Sequence, residues 1–162
     1  MFRLSARADP AFLAEMLYEA VYWLDDGAEE RPALDVMLEN PEIARYVSNW
    51  GRPGDVALSA LDRRDEPVGA AWYRRFTAAE PGYGYVADDV PELSIAVYPE
   101  VRGQRVGSLL LGALIARAAR DHERALSLSV HRENPAKRLY ARHGFEVVAE
   151  RGDTLTMLLE PA

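Results

Sequence analysis

The chain has 162 residues, of which 49% are hydrophobic, a formal net charge of -7 and no cysteine. This length and hydrophobic content exclude a disordered chain and predict a single domain over residues 1–162. The lack of cysteine excludes disulfides, thiolate metal sites and a cysteine nucleophile. The acidic balance argues against nucleic-acid binding driven by a general positive field. Because no signal peptide and no membrane-length apolar run is present, we expect a cytoplasmic protein without a membrane partner.

The first third of the chain predicts a short strand and then three helices. The strand covers residues 2–5. Asp9-Pro10 supplies a helix N-cap and a first-turn proline, and apolar residues at helical spacing carry this helix to a predicted end near residues 25–27. Two shorter helices are predicted over residues 32–38 and 40–51.

From residue 55 onward the apolar pattern is mainly that of strands. The predicted strands cover residues 55–61, 67–76, 93–98, 125–130, 145–150 and 154–160. Helices are predicted over residues 106–120 and 134–144. The longest irregular stretch, residues 77–91, has a length that is often functional in compact domains. This order of elements predicts a mixed α+β domain with one central sheet.

The turn between the predicted strand at 93–98 and the helix at 106–120 has the features of an anion site. It reads Arg102-Gly-Gln-Arg-Val-Gly107. The first turn of a helix carries unpaired N–H groups and the positive end of the helix dipole, and glycines let a phosphate approach the backbone closely. It lacks the Gly-Lys-Ser/Thr of a phosphate-binding loop of nucleotide hydrolases, which disfavours a nucleotide-binding function.

Together with a second segment, this turn resembles the GNAT family of N-acetyltransferases. The family's acyl-CoA motif is Arg or Gln, two residues, Gly, one residue, then Gly or Ala, and Arg105 stands here at its first glycine. The second segment, Asn134-Pro-Ala-Lys-Arg-Leu-Tyr-Ala-Arg-His-Gly-Phe145, is similar to the family's Asn, Leu-Tyr and Gly-Phe pattern. The resemblance implies a three-layer α/β/α fold whose mixed, mostly antiparallel sheet is splayed between two parallel strands.

The resemblance also implies acetyl-CoA as co-substrate and a set of residues that hold it. The pantetheine arm would pair with the backbone of Ile95, Ala96 and Val97, and the Val97 N–H would also stabilise the oxyanion. The pyrophosphate would meet the N–H groups of the turn and of the first helical residues: Gly103, Gln104, Arg105, Val106, Gly107 and Ser108. The remaining implied cofactor contacts are Arg102, Asn134, Lys137 and Tyr140. No metal is expected, because three scattered histidines do not form a metal site.

Transfer to an amine requires a base, because an alkylammonium with a pKa near 10.4 must lose a proton before it attacks. Glu92 immediately precedes the predicted strand, where the family often places its base. Asp88, Asp89, His131 and water are alternatives. The side chains of Trp23, Tyr83 and neighbouring aromatic residues are candidate walls for an acceptor pocket: Tyr22, Trp72, Tyr73 and Tyr85.

Tyr140 matches the family tyrosine that donates a proton to the leaving thiolate, since a phenol is protonated at neutral pH. The predicted function is therefore transfer of an acetyl group from acetyl-CoA to a primary amine of a small molecule or peptide. The alternative is a module that binds acyl-CoA without transferring the acyl group. A homodimer is a further expectation from the resemblance.

Overall fold

The structure, a computed structural model, describes residues 1–24 and 30–161. Its strands are β1 Arg3–Ser5, β2 Val56–Leu61, β3 Pro67–Arg74, β4 Glu92–Val97, β5 Leu126–His131, β6 Glu146–Arg151 and β7 Thr154–Leu159. The α-helices of the described part are α1 Pro10–Val21, α2 Leu34–Met37, α3 Pro41–Ala44, α4 Val106–Arg120 and α5 Ala136–Arg142. Every strand and helix predicted from the sequence is present, with shifts at its ends.

The strands form one seven-stranded sheet in the order β1-β2-β3-β4-β5-β7-β6. Each neighbouring pair is antiparallel except β4 and β5, which run parallel. These two share a single register pair, Glu92 with Ser127, and then separate. The predicted mixed sheet, splayed between two parallel strands, is confirmed.

Helices cover both faces of the sheet because the central strands are apolar on both sides. In β3, Ala71 and Tyr73 belong to a core formed with α4. Ala70 and Trp72 alternate with them and belong to a second core formed with α1 and the segment after α3. The three-layer arrangement follows from this pattern.

Two helices end more than three residues earlier than predicted. The helix α1 ends at Val21, and its predicted end at residues 25–27 lies outside the described residues. The helix α3 ends at Ala44 instead of near residue 51. A tertiary contact explains the second difference, because the buried Arg74 guanidinium donates to the carbonyl oxygens of Arg45 and Ser48 at 2.9 and 2.8 Å. Backbone carbonyls that a continued helix would use are thus bound from β3.

Over residues 1–24 and 30–161, no helix is both long and apolar enough to cross a membrane. The longest helix, α4, has 15 residues and packs Leu110, Leu111 and Leu114 against the sheet. Its N-terminus therefore lies at a fixed position beside the end of β4.

Candidate active site

A cleft of about 640 Å³ opens where β4 and β5 separate, a volume suited to a small-molecule ligand. Its walls come from β4, β5, α1, α5 and the turn before α4. Eight of the implied cofactor contacts and main catalytic candidates line it: Glu92, Ile95, Ala96, Val97, Arg102, Gly107, Asn134 and Tyr140. The structure thus brings together residues that lie up to 48 positions apart in the chain.

The backbone of β4 presents alternate polar groups to this cleft. The Tyr98 N–H donates to Val68 in β3, whereas the Pro91 carbonyl accepts from Ser127 in β5. Because backbone groups alternate in direction along an antiparallel strand, those of Ile95 and Val97 point toward the cleft and those of Ala96 toward β3. The amides of Ile95 and Val97 are therefore directed into the cleft, whereas Ala96 lines the cleft without directing its amide into it.

The turn before α4 supplies a row of free amide groups. Among the residues that the structure describes, none accepts a hydrogen bond from the backbone N–H groups of residues 103–108. Gly103 and Arg105 both have left-handed backbone conformations, with φ of 81° and 65°. The left-handed φ at Arg105 explains why glycine is usual at this position of the motif. Free N–H groups at the N-terminus of a 15-residue helix form an anion site.

Asn134 and Lys137 differ in how they face the cleft. The N-cap of α5 is Pro135 rather than the predicted Asn134. The Asn134 Oδ1 nevertheless accepts from the Ala136 N–H, the first of the helix, at 2.9 Å, and Asn134 also lines the cleft. The Lys137 ammonium donates to the Arg132 carbonyl at 3.2 Å, and Lys137 is absent from the cleft wall. Of these two, only Asn134 lies where a ligand in the cleft would meet it.

Glu92 is a buried carboxylate at the other end of β4. It is 2% exposed, and burial raises its pKa from 4.5 to about 7. Hydrogen bonds from the Tyr46 hydroxyl and from the Gly84 N–H, the latter at 3.0 Å, oppose this rise. A carboxylate with a pKa near neutrality that faces a cleft is suited to accept and release protons.

Two glycines of the long loop allow it to fold over this carboxylate. A Cβ at Gly82 would lie 2.3 Å from Glu92 Oε1, and a Cβ at Gly84 would lie 2.6 Å from the Leu128 carbonyl carbon in β5. Any larger residue at either position would displace the loop or the carboxylate. The loop can therefore pack closely against Glu92 and β5 because Gly82 and Gly84 have no side chains.

Tyr46 is held in place from β3. The Trp72 indole N–H donates to the Tyr46 carbonyl at 3.1 Å, and Arg74 binds the carbonyls of the residues on either side of it, Arg45 and Ser48. Arg74 is itself anchored by a buried ion pair with Asp55 at 2.6 Å. This support fixes the hydroxyl that contacts Glu92.

Tyr140 projects from α5 into the cleft. Burial raises its pKa well above the ordinary value, so the phenol stays protonated at neutral pH. Within the described part of the chain, its hydroxyl has no hydrogen-bond partner, while its ring packs edge-on against Phe145 with 6.1 Å between centroids. The hydroxyl is thus available to donate to a ligand.

The alternative bases occupy different environments. The Asp88 carboxylate accepts from the Tyr85 hydroxyl, and Asp89 forms an exposed ion pair with Arg124 at 2.8 Å. Neither aspartate lines the cleft. His131 does line it, with its ring 5.4 Å from that of Trp23.

Some of the candidate aromatic residues line the cleft and others do not. Trp23 and Tyr83 line the cleft, whereas Trp72 and Tyr73 are buried in the two cores. Tyr22 and Tyr85 lie outside the wall. In the described residues no group of three or more His, Asp or Glu side chains is placed to hold a metal ion.

Sequence reasoning missed Tyr46, Gly82 and Gly84 as parts of the site. Tyr46 has the spacing of an ordinary apolar helix position, and its contact with Glu92 spans 46 residues. The two glycines lie in the irregular stretch 77–91. The alternation of glycine and tyrosine there, Gly82-Tyr83-Gly84, was the local pattern that could have indicated a close backbone approach. Each depends on a tertiary contact that no local pattern records.

Known structures with this fold include acetyltransferases from three organisms. The PaiA N-acetyltransferase of Thermoplasma acidophilum, in complex with coenzyme A, superposes with a TM-score of 0.70 at 19% identity over 99% of each chain. The phosphinothricin acetyltransferase of Sinorhizobium meliloti, in complex with AcCoA, gives 0.67 at 23% identity over 98% of this chain and 88% of that one. A ribosomal-protein-alanine N-acetyltransferase of Brucella melitensis gives 0.66 at 24% identity over 99% of each. These similarities establish the fold.

The sequence itself establishes the family. The profile of the acetyltransferase (GNAT) family matches residues 16–145, a span that contains the turn before α4, the cleft strands and α5. The chain belongs to the GNAT family of acetyltransferases. No curated protein sequence matches the chain significantly.

Proposed function

We propose that the protein transfers the acetyl group of acetyl-CoA to a primary amine of a small molecule or peptide, by direct attack within a ternary complex. The observation that carries this proposal is the pairing of two features at opposite ends of one cleft: six free backbone N–H groups at residues 103–108 and the buried carboxylate of Glu92. An acyl-CoA needs the first, and an amine that must lose a proton needs the second.

The residues present fit acetyl-CoA. The free N–H groups of residues 103–108 suit a pyrophosphate, and Arg102 adds a cation beside them. The cleft-facing backbone groups of Ile95 and Val97 suit the amides of the pantetheine arm. The bound co-substrate supplies a thioester carbonyl as the electrophile. Two of the solved structures with this fold hold coenzyme A or acetyl-CoA, which supports the same assignment.

In the proposed reaction Glu92 takes a proton from the acceptor ammonium through water, because Glu92 and Val97 stand at opposite ends of β4. The amine nitrogen bonds to the acetyl carbon and the carbon–sulfur bond breaks. The nitrogen releases its second proton to solvent, so that a neutral amide forms. Tyr140 supplies a proton or hydrogen bond to the departing thiolate, and the Val97 N–H stabilises negative charge on the carbonyl oxygen. Glu92 has the properties of a base more fully than Asp88 or Asp89, because it is the buried carboxylate at the cleft.

The test is release of the CoA thiol from acetyl-CoA over a panel of primary amines. We expect turnover by the wild type and a loss of about 100-fold or more in kcat for Tyr140→Phe, with the affinity for CoA retained. Tyr85→Phe is the matched control, since its hydroxyl contacts Asp88 outside the cleft. Binding of acetyl-CoA without turnover of any amine would overturn the proposal and leave the non-catalytic alternative, which the family match does not favour. The homodimer stays a prediction, which sedimentation velocity can check.

A further inference from the structure

His143, the C-cap residue of α5, lies against the first turn of α4. Its Nδ1 is 3.0 Å from the Leu139 carbonyl oxygen, and its Nε2 is 3.5 Å from the Ser108 Oγ. Because a carbonyl oxygen can only accept a hydrogen bond, Nδ1 carries a proton, and in the neutral ring Nε2 is an acceptor. The neutral ring therefore accepts the hydroxyl proton of Ser108.

Ser108 belongs to the anion site of the turn. It is the third residue of α4, and its backbone N–H is one of the six without an acceptor among the described residues. A phosphate bound at this N–H is within reach of the hydroxyl of the same residue. While that hydroxyl donates to His143, it presents only lone pairs to the phosphate oxygens. It can donate to the phosphate if Nε2 of His143 becomes a donor instead.

We infer that His143 is a positioning residue for the pyrophosphate of CoA and that its ring takes up a proton when CoA binds. This inference rests on the proposed function and adds a residue to the same site. The proton comes from solvent and forms an Nε2–H, which donates to the Ser108 Oγ. The Ser108 hydroxyl proton then turns to a phosphate oxygen, and the imidazolium adds a positive charge beside the anion.

The elements that adjoin His143 also carry charged residues. They are Arg105 at the N-cap of α4, Arg142 in the last turn of α5 and Glu146 at the start of β6. β7 contributes the apolar Leu159 beside the glycine that follows His143. In general, arginine and exposed glutamate side chains keep their charges between about pH 6 and 8, whereas an imidazole gains or loses a proton there. His143 is thus a group whose charge can respond to a bound anion.

The test is the number of protons taken up on binding of dephospho-CoA, which retains the pyrophosphate and lacks the 3′-phosphate that itself titrates near neutral pH. Calorimetric titrations at pH 7 in buffers of different ionisation enthalpy give this number. We expect roughly half a proton more for the wild type than for His143→Gln, whose amide can donate to Ser108 without titrating. The two proteins are compared because Glu92, with a pKa of about 7, also titrates in the cleft. An equal proton number in both overturns the inference.

The pH dependence of the Kd for dephospho-CoA provides a second readout. Between about pH 6 and 8.5, the Kd of the wild type should rise by about 5-fold relative to that of His143→Gln. Ser108→Ala should reduce this rise, because it removes the hydroxyl that links the ring to the phosphate. His122→Asn is the control and should match the wild type. His122 lies beyond the C-terminal end of α4 and has a left-handed φ of 61°, which asparagine tolerates.

The proposed function and this inference fail in different ways. Proton uptake that depends on His143, without turnover of any amine, supports the inference and refutes the proposed function. A wild-type Kd that parallels that of His143→Gln at every pH, or no binding of dephospho-CoA, overturns the inference. Turnover with acetyl-CoA then still decides the proposed function.

Discussion

The Tyr46 hydroxyl donates a hydrogen bond to the Glu92 carboxylate and accepts one, at 2.7 Å, from the Tyr83 N–H. It thus connects the segment after α3, the loop at residues 81–84 and the first residue of β4. The same contact has a chemical effect, because a donor to a carboxylate favours its charged form. Tyr46 is therefore a positioning residue that adjusts the proton affinity of the proposed base.

The first prediction concerns the pH dependence of acetyl transfer. In the proposed reaction deprotonated Glu92 is the reactive form, and its pKa is about 7, so kcat/KM should rise with pH and level off above neutrality. Tyr46→Phe removes a hydrogen bond that lowers this pKa, so the rise should move to higher pH by about one unit. A pH profile of kcat/KM measures both.

The control for this profile is Tyr73→Phe. The Tyr73 hydroxyl is buried in the α4 core and has no hydrogen-bond partner among the described residues, so its removal should leave the profile unchanged. If Tyr46→Phe instead lowers kcat/KM equally at every pH without moving the rise along the pH axis, that result would show that Tyr46 has only a structural role.

The second prediction concerns stability. A carboxyl group whose pKa rises from 4.5 to about 7 on folding binds more protons in the native state, so stability is lost as pH rises through that window. Removing the ionisable group in Glu92→Gln should leave stability near pH 4.5 almost unchanged. Above pH 7 the variant should be more stable than the wild type by up to about 3 kcal/mol, since one pKa unit corresponds to about 1.4 kcal/mol.

Urea unfolding at pH 4.5, 6 and 8 tests this prediction. The difference in free energy of unfolding between Glu92→Gln and wild type should grow from pH 4.5 to pH 8. A constant difference across the three would contradict the burial of a titrating carboxylate, and the variant's loss of acetyl transfer provides an independent check on the role of Glu92.

The third prediction concerns the loop over the carboxylate. Gly82→Ala places a methyl group 2.3 Å from Glu92 Oε1, so Glu92 or the loop must move. We expect a fall of at least about 10-fold in kcat/KM for the amine, because small displacements of a reacting group are costly. The KM for acetyl-CoA should change little, since its proposed contacts lie at the other end of β4.

Gly112→Ala is the matched control for Gly82→Ala. Gly112 lies inside α4, and the nearest atom to an added Cβ is 3.9 Å away, at His143 Nε2. Alanine in a helix interior is more favourable than glycine by roughly 0.5–1 kcal/mol, so this variant should unfold at slightly higher temperature with unchanged kinetics. Loss of activity in both variants would point to a general effect of the added methyl groups.

The fourth prediction separates two effects of Arg105. Its left-handed backbone, with φ of 65°, costs a non-glycine residue about 1 kcal/mol, so Arg105→Gly should leave stability equal or slightly higher. The same variant removes a cation beside the free amide groups and should raise the Kd for CoA several-fold. Thermal unfolding and calorimetry measure the two effects. Arg105→Ala should weaken CoA binding equally without the gain in stability.

Local patterns account for most of the fold. These patterns act within a few residues of the chain, so the sequence records them directly. They include the caps and prolines at Asp9 and Asn40, the turn before α4 and the change from helical to strand periodicity. The shortened α3 departs from its local pattern where Arg74, from a distant strand, binds the carbonyls of Arg45 and Ser48 in the segment that follows it. The position of a helix end is the property that such contacts most readily change.

The sequence by itself determined the class of fold, the glycine turn, the helix start after Asn134 and the positions of Glu92 and Tyr140 relative to their strands and helices. These properties depend on apolar periodicity and on short-range backbone chemistry. Only the tertiary structure decided that Glu92 is buried with a raised pKa, that Tyr46 and Gly84 bind it, and that Asp88 and Asp89 lie outside the cleft. Desolvation and hydrogen bonding between distant segments arise only when the sheet, α1 and the long loop pack together, because each depends on atoms far apart in the chain.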